Sequence, residues 1–384
     1  MVSLVRIVTS LATALAAMSV GSSVAQPIDP IQHSLEIVLP GASGGQRFDL
    51  AAAMRTLHVG AVDIALIERG RIAWSRHFGK AETNTIYQAA SLSKLVTAVA
   101  ALRLVERGAL DLDRNVNDDL IEWRIPDSDL TRGHPVTLRG LLSMTAGIGV
   151  PGYLGYAPGE PLPNLTQILD GTPPANSQPV RVEAIPGSRY AYSGGGYEIV
   201  QALIEAKTKQ RFQDAIKTLL FGPVGMTNSL FLQPLPADLA ARAAKGHRNN
   251  GEELPGGWRV VPELAAGGLW SSANDLAALL VALARSYRGK PDAVLSAPMA
   301  HLMMQRQNDG PYGLGGAVAG SGGGLVLMKR GQNIGYQSYM LLFPETGQGI
   351  AILSNSDNGT ILATALIRRA AEIYHWPAIG LLAD

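Results

Sequence analysis

Cysteine is absent from all 384 residues. Its absence excludes a disulfide framework, thiolate zinc sites, iron–sulfur clusters and a cysteine nucleophile. Histidine is sparse, at seven, and neither HExxH nor another paired-His spacing occurs. A zinc hydrolase is therefore not expected, and no metal or cofactor is implied. An excess of either charge is lacking as well, with Lys+Arg at 32 and Asp+Glu at 31. Nucleic-acid binders need a basic face, so no nucleic-acid partner is expected. Charged residues make up 16% and hydrophobic residues 47%. This is an ordinary globular composition, and the length suits two domains or one domain with a large insertion.

Beyond the first 25 residues, no stretch approaches the ~20 apolar residues of a membrane span. Those 25 read MVSLVRIVTSLATALAAMSVGSSVA. Arg6 precedes an apolar run from Ile7 to Val20, and Ser23-Val24-Ala25 suits signal cleavage. The segment reads as a secretory signal peptide cut after Ala25, which implies a periplasmic or secreted protein without a membrane anchor after cleavage. Residues 26–46 read as a lead-in and 376–384 as a tail.

Apolar runs at 61–67 and 72–78 flank Glu68-Arg69-Gly70-Arg71 and predict a β-hairpin. Ser91 to Arg107 contains neither Gly nor Pro and ends at Gly108, as a helix does. Shorter helices are expected over 138–144, 197–207 and 212–220. Another runs over 276–287, started by Ser272 or Asn274, and the last over 360–374. Strand-like runs occupy 325–329, 338–343 and 349–353. Gly147 to Gly187 carries eight of the 23 Pro, and a loop so long usually lines a site or moves. Strands near both ends and helices between them predict an α+β architecture. An antiparallel sheet is built from both termini and flanked by helices, with a mostly helical insertion. The expected division is sheet at 47–88 and 245–375, helices at 89–244.

Three short motifs could carry chemistry. Ser91 opens a helix and Lys94 follows one turn later, so both side chains can share a face. The positive helix end and burial disfavour a protonated lysine, and a neutral lysine beside a hydroxyl is a base with its nucleophile. A capped helix with a solvated lysine explains the same residues equally well. Tyr190-Ala191-Tyr192-Ser193-Gly194-Gly195-Gly196 precedes another helix. Glycine permits close backbone approach, and a phenol near a cation can serve as a base. Tyrosines packed as core are the plainer explanation. Lys329-Arg330-Gly331 ends a strand-like run and offers charge plus close approach, or merely solvated cations.

Taken together and in this order, the three resemble the penicillin-recognising serine hydrolases, a family of class C β-lactamases, DD-peptidases and related esterases. That family carries Ser-x-x-Lys, then Tyr-x-Asn, then Lys-Thr-Gly or His-x-Gly. Further similar stretches are TIYQAASLSKLVTAVAALRLVERGALDLD at 85–113, LRGLLSMTAGI at 138–148, PGSRYAYSGGGYEIV at 186–200, FGPVGMTNSLF at 221–231 and GGLWSSANDLAALL at 267–280. The resemblance spans roughly 47–375 and implies the β-lactamase/transpeptidase-like fold. It also implies that Ser91 is acylated, that Lys94 takes its proton or holds the network that does, and that Tyr192 shuttles protons. The backbone N–H groups of Ser91 and Gln332 would form the oxyanion hole. Lys329 would lower the pKa of Tyr192 and attract a substrate carboxylate, beside Arg330 and Gly331.

The chain departs from the family pattern at three positions. Gly194 stands where the family has Asn, whose side chain contacts the substrate amide and the catalytic lysine. Arg330 replaces a small Thr or Ser, and Met144 replaces a His. Loss of the Asn favours an esterase or amidase over a dedicated β-lactamase. Lys329 favours the β-lactamase and D-Ala-D-Ala peptidase reading. The expected partner is a small ester, amide or β-lactam, with a peptidoglycan peptide as a further candidate. The alternative of another class is an inactive sensor that binds β-lactams or peptidoglycan.

Two decoys carry less weight. Gly41-Ala42-Ser43-Gly44-Gly45 spells a Gly-x-Ser-x-Gly elbow but lacks the preceding strands that elbow needs. Ser356-Asp357-Asn358 spells a class A triplet but falls after Lys329, and Asp-Asn-Gly is a turn signal. Glu160 and Glu183 lie in the long loop with nothing to mark either as a base.

Overall fold

A computed structural model describes residues 37–39 and 47–377. The expected signal peptide, the elbow-like Gly41–Gly45, most of the lead-in and most of the tail lie outside them.

Around Gly70 the hairpin forms, with β1 (Ala61–Glu68) and β2 (Arg71–Gly79) paired antiparallel. The sheet continues with β3 (Ala317–Ala319), β4 (Val326–Asn333), β5 (Tyr336–Phe343) and β6 (Gln348–Ser354). Its order is β2-β1-β6-β5-β4-β3, antiparallel throughout. β6 beside β1 closes the sheet between the two ends of the chain, with Ile352 opposite Ile64.

Helices cover both faces. They include α1 (Leu50–Thr56), α2 (Leu92–Glu106), α3 (Leu138–Leu142), α4 (Gly195–Thr208), α5 (Ala273–Tyr287) and α6 (Gly359–Ile373). Strand alternation sorts the layers. Val62, Ile64 and Leu66 join the cluster of α1 and α6, whereas Ala61, Ala65 and Ile67 join that of α2, α4 and α5. Asp63 shares the second face. Its carboxylate accepts from the N–H of Ala273 at the start of α5 and pairs with His77 on β2. Ser272 caps the same helix by accepting from the Asp275 N–H.

Several expectations need adjustment. α2 forms as expected but is enclosed on all sides: Leu92 through Leu102 are all buried, because sheet, α4 and the segment at 264–269 surround it. Lys329 does not end a strand, since β4 runs on to Asn333. Nor is β4 wholly an edge strand. β3, for which the sequence carries no signal, pairs with Val326 to Met328. From Lys329 onward, one side of β4 lacks a partner strand among the described residues. The long Pro-rich segment holds a short helix, Leu165–Asp170, opened by an Asn164–Gln167 capping box. Among the described residues no helix is long and apolar enough to cross a membrane.

Candidate active site

The N-terminus of α2 is anchored from three directions. Ala90, just before Ser91, has φ of +50°, a left-handed conformation costly for an L-residue. The turn is held by Ser338 Oγ donating to Ala89 O at 2.7 Å and by Ser93 Oγ donating to Ala90 O at 2.6 Å. Ala89 N donates to Leu269 O at 2.8 Å. Ser91 precedes the helix but makes no side-chain cap bond, so its hydroxyl is left to other partners.

One of these is Lys94. Its Nζ donates to Ser91 Oγ at 3.1 Å and to Ala266 O at 2.7 Å. The side chain is only 1% exposed. Ala266 is itself fixed by Glu198 on α4, whose carboxyl accepts from the Ala266 N–H at 2.9 Å. Glu198 is fully buried, and burial with the nearby Glu263 carboxyl holds it well above the usual carboxylate range.

Tyr192 lines the same cleft as Ser91 and accepts from Lys329 Nζ at 3.1 Å. Burial pushes its phenol up, but the charges of Lys94 and Lys329, with the Ser91 hydroxyl and the bond from Lys329, outweigh burial and bring it to about 7. The Nζ atoms of Lys94 and Lys329 lie 5.2 and 4.7 Å from the centre of the same ring. Lys329 is brought down to about 8, chiefly by burial, with Tyr192 opposing the change. Its second partner is Tyr312 Oη, at 3.0 Å.

Gly331 brings β4 against the turn that carries Ser91. A Cβ there would lie 2.6 Å from Ala89 O and 2.8 Å from Ser91 N, so only glycine allows this approach. Gln332 lines the cleft just beyond, and Asn333 ties the strand end to Gln88 by a 2.8 Å bond. Arg330 lies exposed at the rim, with no side-chain hydrogen bond or ion pair among the described residues. The cleft encloses about 830 Å³ and is lined by Ser91, Lys94, Tyr192, Lys329 and Gln332 together with Tyr153, Tyr190 and Tyr312.

Ser91, Lys94, Tyr192, Lys329, Arg330, Gly331 and Gln332 thus surround one cleft. Gly194 is buried at the start of α4. Met144, at the position where the family has His, orders the tyrosine turn: its carbonyl accepts from Ala191 N and its sulfur from Ser193 N. Tyr312 and Tyr153 carried no sequence signal beyond their Pro- and Gly-rich surroundings. Neither Glu160 nor Glu183 lines the cleft. Asp357 and Asn358 sit in a turn, where Asp357 accepts from Gly335 N and Asn358 donates to Leu57 O.

Comparison with known proteins gives a consistent picture. The family described as Beta-lactamase matches residues 49–374. Penicillin-binding protein 4 of Amycolatopsis lactamdurans is 30% identical over 304 residues, 74% of this chain and 76% of that protein. Esterase EstB of Burkholderia gladioli is 31% identical over 233 residues, 56% of this chain and 58% of the esterase. The octameric penicillin-binding protein homologue from Pyrococcus abyssi superposes with a TM-score of 0.66 at 25% identity. That match covers 85% of this chain and 76% of the homologue.

Proposed function

The chain belongs to the beta-lactamase family, and on that premise we propose that it is an exported serine hydrolase that forms an acyl-enzyme on Ser91 and cleaves carboxylic esters or related amides. The observation that carries the reading is Tyr192. Its phenol lies between two lysines, in the same cleft as Ser91, and is poised near 7, where a general base works best.

Tyr192 as phenolate takes the Ser91 proton while Oγ attacks the substrate carbonyl. The carbonyl oxygen becomes an oxyanion at the N–H groups of Ser91 and Gln332, each such donor contributing ~3–4 kcal/mol to the barrier reduction. As the tetrahedral species collapses, the bond to the leaving oxygen breaks and Tyr192 returns its proton to that oxygen. Water then attacks the acyl-enzyme, gives a proton to Tyr192, and Ser91 Oγ departs carrying it. Lys94 holds Ser91 in place through its two bonds and favours the phenolate by its charge. Export rests on the signal-like residues 1–25.

A second reading has one observation in its favour. Lys329 and the free guanidinium of Arg330 suit a substrate bearing a carboxylate, as penicillins and D-alanyl peptides do. Intact mass after mixing with p-nitrophenyl acetate or a penicillin, with Ser91→Ala as control, separates the two. Acetylation at Ser91 with released nitrophenol is expected. Ester hydrolysis that survives Ser91→Ala overturns the mechanism, and a lasting penicillin adduct shifts the assignment to the second reading.

A further inference from the structure

The glycine at 194 leaves no vacancy in the cleft. A Cβ at that position would lie 3.1 Å from Cε2 of Tyr153, 3.3 Å from Pro151 O and 3.4 Å from Gly152 Cα. The space beside residue 194 is therefore taken by the Pro-rich segment. Backbone bonds seat that segment there: Gly194 N donates to Val150 O at 2.8 Å, and Gly195 N to the same oxygen at 3.0 Å. Ser193 Oγ adds a 2.8 Å bond to Gly149 O. Gly195 is equally constrained, since its Cβ would lie 2.9 Å from Gly149 O.

Tyr153 is the side chain this arrangement delivers to the cleft. It is half-buried and lines the same cavity as Ser91 and Lys94. Its hydroxyl, however, is buried and without a hydrogen-bond partner among the described residues, and the carboxyls it feels are those of Glu198 and Glu263 in the interior. The polar tip points away from the substrate and the ring faces it. Across the cleft stands the β4 edge, whose Gln332 and Asn333 backbones have no partner strand on their outer side among the described residues. One wall can thus hydrogen-bond a substrate, whereas the wall at Tyr153 offers aromatic surface.

We propose that Tyr153, admitted by Gly194, is the specificity-determining residue for the acyl group, and that the enzyme selects esters whose acyl part is apolar, aromatic acyl groups included. This rests on the esterase reading above. An acyl chain with an amide next to the scissile carbonyl would bury its N–H and C=O against a ring that cannot bond them, which disfavours it. An aryl or alkyl acyl group instead exchanges water for ring contact.

The test holds the leaving group constant and varies the acyl group. kcat/KM for p-nitrophenyl benzoate is divided by that for p-nitrophenyl acetate in wild type, Tyr153→Ala and Tyr153→Phe. We expect the ratio to fall roughly tenfold in Tyr153→Ala and to stay within about twofold of wild type in Tyr153→Phe. Binding of phenylboronic against methylboronic acid, which needs Ser91 but no turnover, follows the same ratio. An unchanged ratio in Tyr153→Ala, or an equal fall in Tyr153→Phe, overturns the proposal. Failure of wild type to cleave either ester would refute the esterase reading instead, and the boronate ratio then still decides the role of Tyr153.

Discussion

The Nζ of Lys329 stands 3.1 Å from Tyr192 Oη and 4.7 Å from the centre of the same ring. The two groups come from β4 and from the turn before α4, and each changes the other's ionisation. Burial alone would drive the phenol up and the ammonium down. Held together, phenolate and ammonium stabilise one another, so the two titrate as a pair.

A narrow pH optimum follows. Activity on an ester requires Tyr192 ionised, so kcat/KM rises with pH through about 7. It requires Lys329 charged, so kcat/KM falls again above about 8. Lys329→Met removes the cation that favours the phenolate. Its rising limb is expected at least about one pH unit higher, with activity at pH 7 about fivefold or more lower from this cause alone. Superimposable rising limbs for wild type and variant would contradict the role given to Lys329.

Gly331→Ala tests the close approach of β4. The new Cβ must move away from Ala89 O and Ser91 N, both closer than 3 Å, and the strand with it. Displacing Gln332 N–H from the oxyanion is expected to lower kcat by about 10²-fold or more. The protein should still fold, since the change lies at one end of β4. Near-wild-type kcat in a folded variant would show that Gln332 does not contact the oxyanion.

Glu198 offers a contrast between two substitutions. Burial keeps its carboxyl protonated well beyond the usual range, so stability is full below about pH 4.5 and declines as the pH rises toward the folded-state value. Glu198→Gln keeps the acceptor for Ala266 N–H and cannot ionise. Its melting temperature should therefore fall less between pH 5 and 8 than that of wild type. Glu198→Ala strands a buried N–H, at ~1–3 kcal/mol, and loosens the carbonyl that holds Lys94. A steeper decline for Glu198→Gln than for wild type would rule this account out.

The Asp63–His77 pair makes a demand of the same sign on pH. The close pairing with Asp63 raises the His77 value above 6.5, against the effect of burial. Its extra stabilisation is present in full below pH 6.5 and is lost as the pH rises through the folded-state value. The difference in melting temperature between wild type and His77→Asn should thus be largest in acid and narrow toward pH 9. A difference that grows with pH would exclude this pair as the source.

Much of the scaffold was legible. The hairpin around Gly70 declares itself by two apolar runs and a turn, and α2 by its span without Gly or Pro, because both signals are local. β3 was not legible: three residues in a Gly-rich stretch form a strand only because Val326 to Met328 lie beside them. The full burial of α2 was hidden for a similar reason, since periodicity cannot report how many neighbours will enclose a helix.

Within the site, Ser91 and Lys94 needed only helix geometry to face one another, and their spacing in the sequence determines it. The signal-like N-terminus, the absence of cysteine and the order of the three motifs were likewise settled by the chain alone. Tertiary structure decided which partners Lys329 finds, because Tyr192 lies 137 residues away and Tyr312 17 residues away. It also decided that Tyr153 covers Gly194. That contact follows from where the 149–153 segment is pinned, and no spacing along the chain encodes it. Ionisation behaves the same way: the phenol of Tyr192 is brought to about 7 only because two lysines from different elements act on it at once, against the effect of burial.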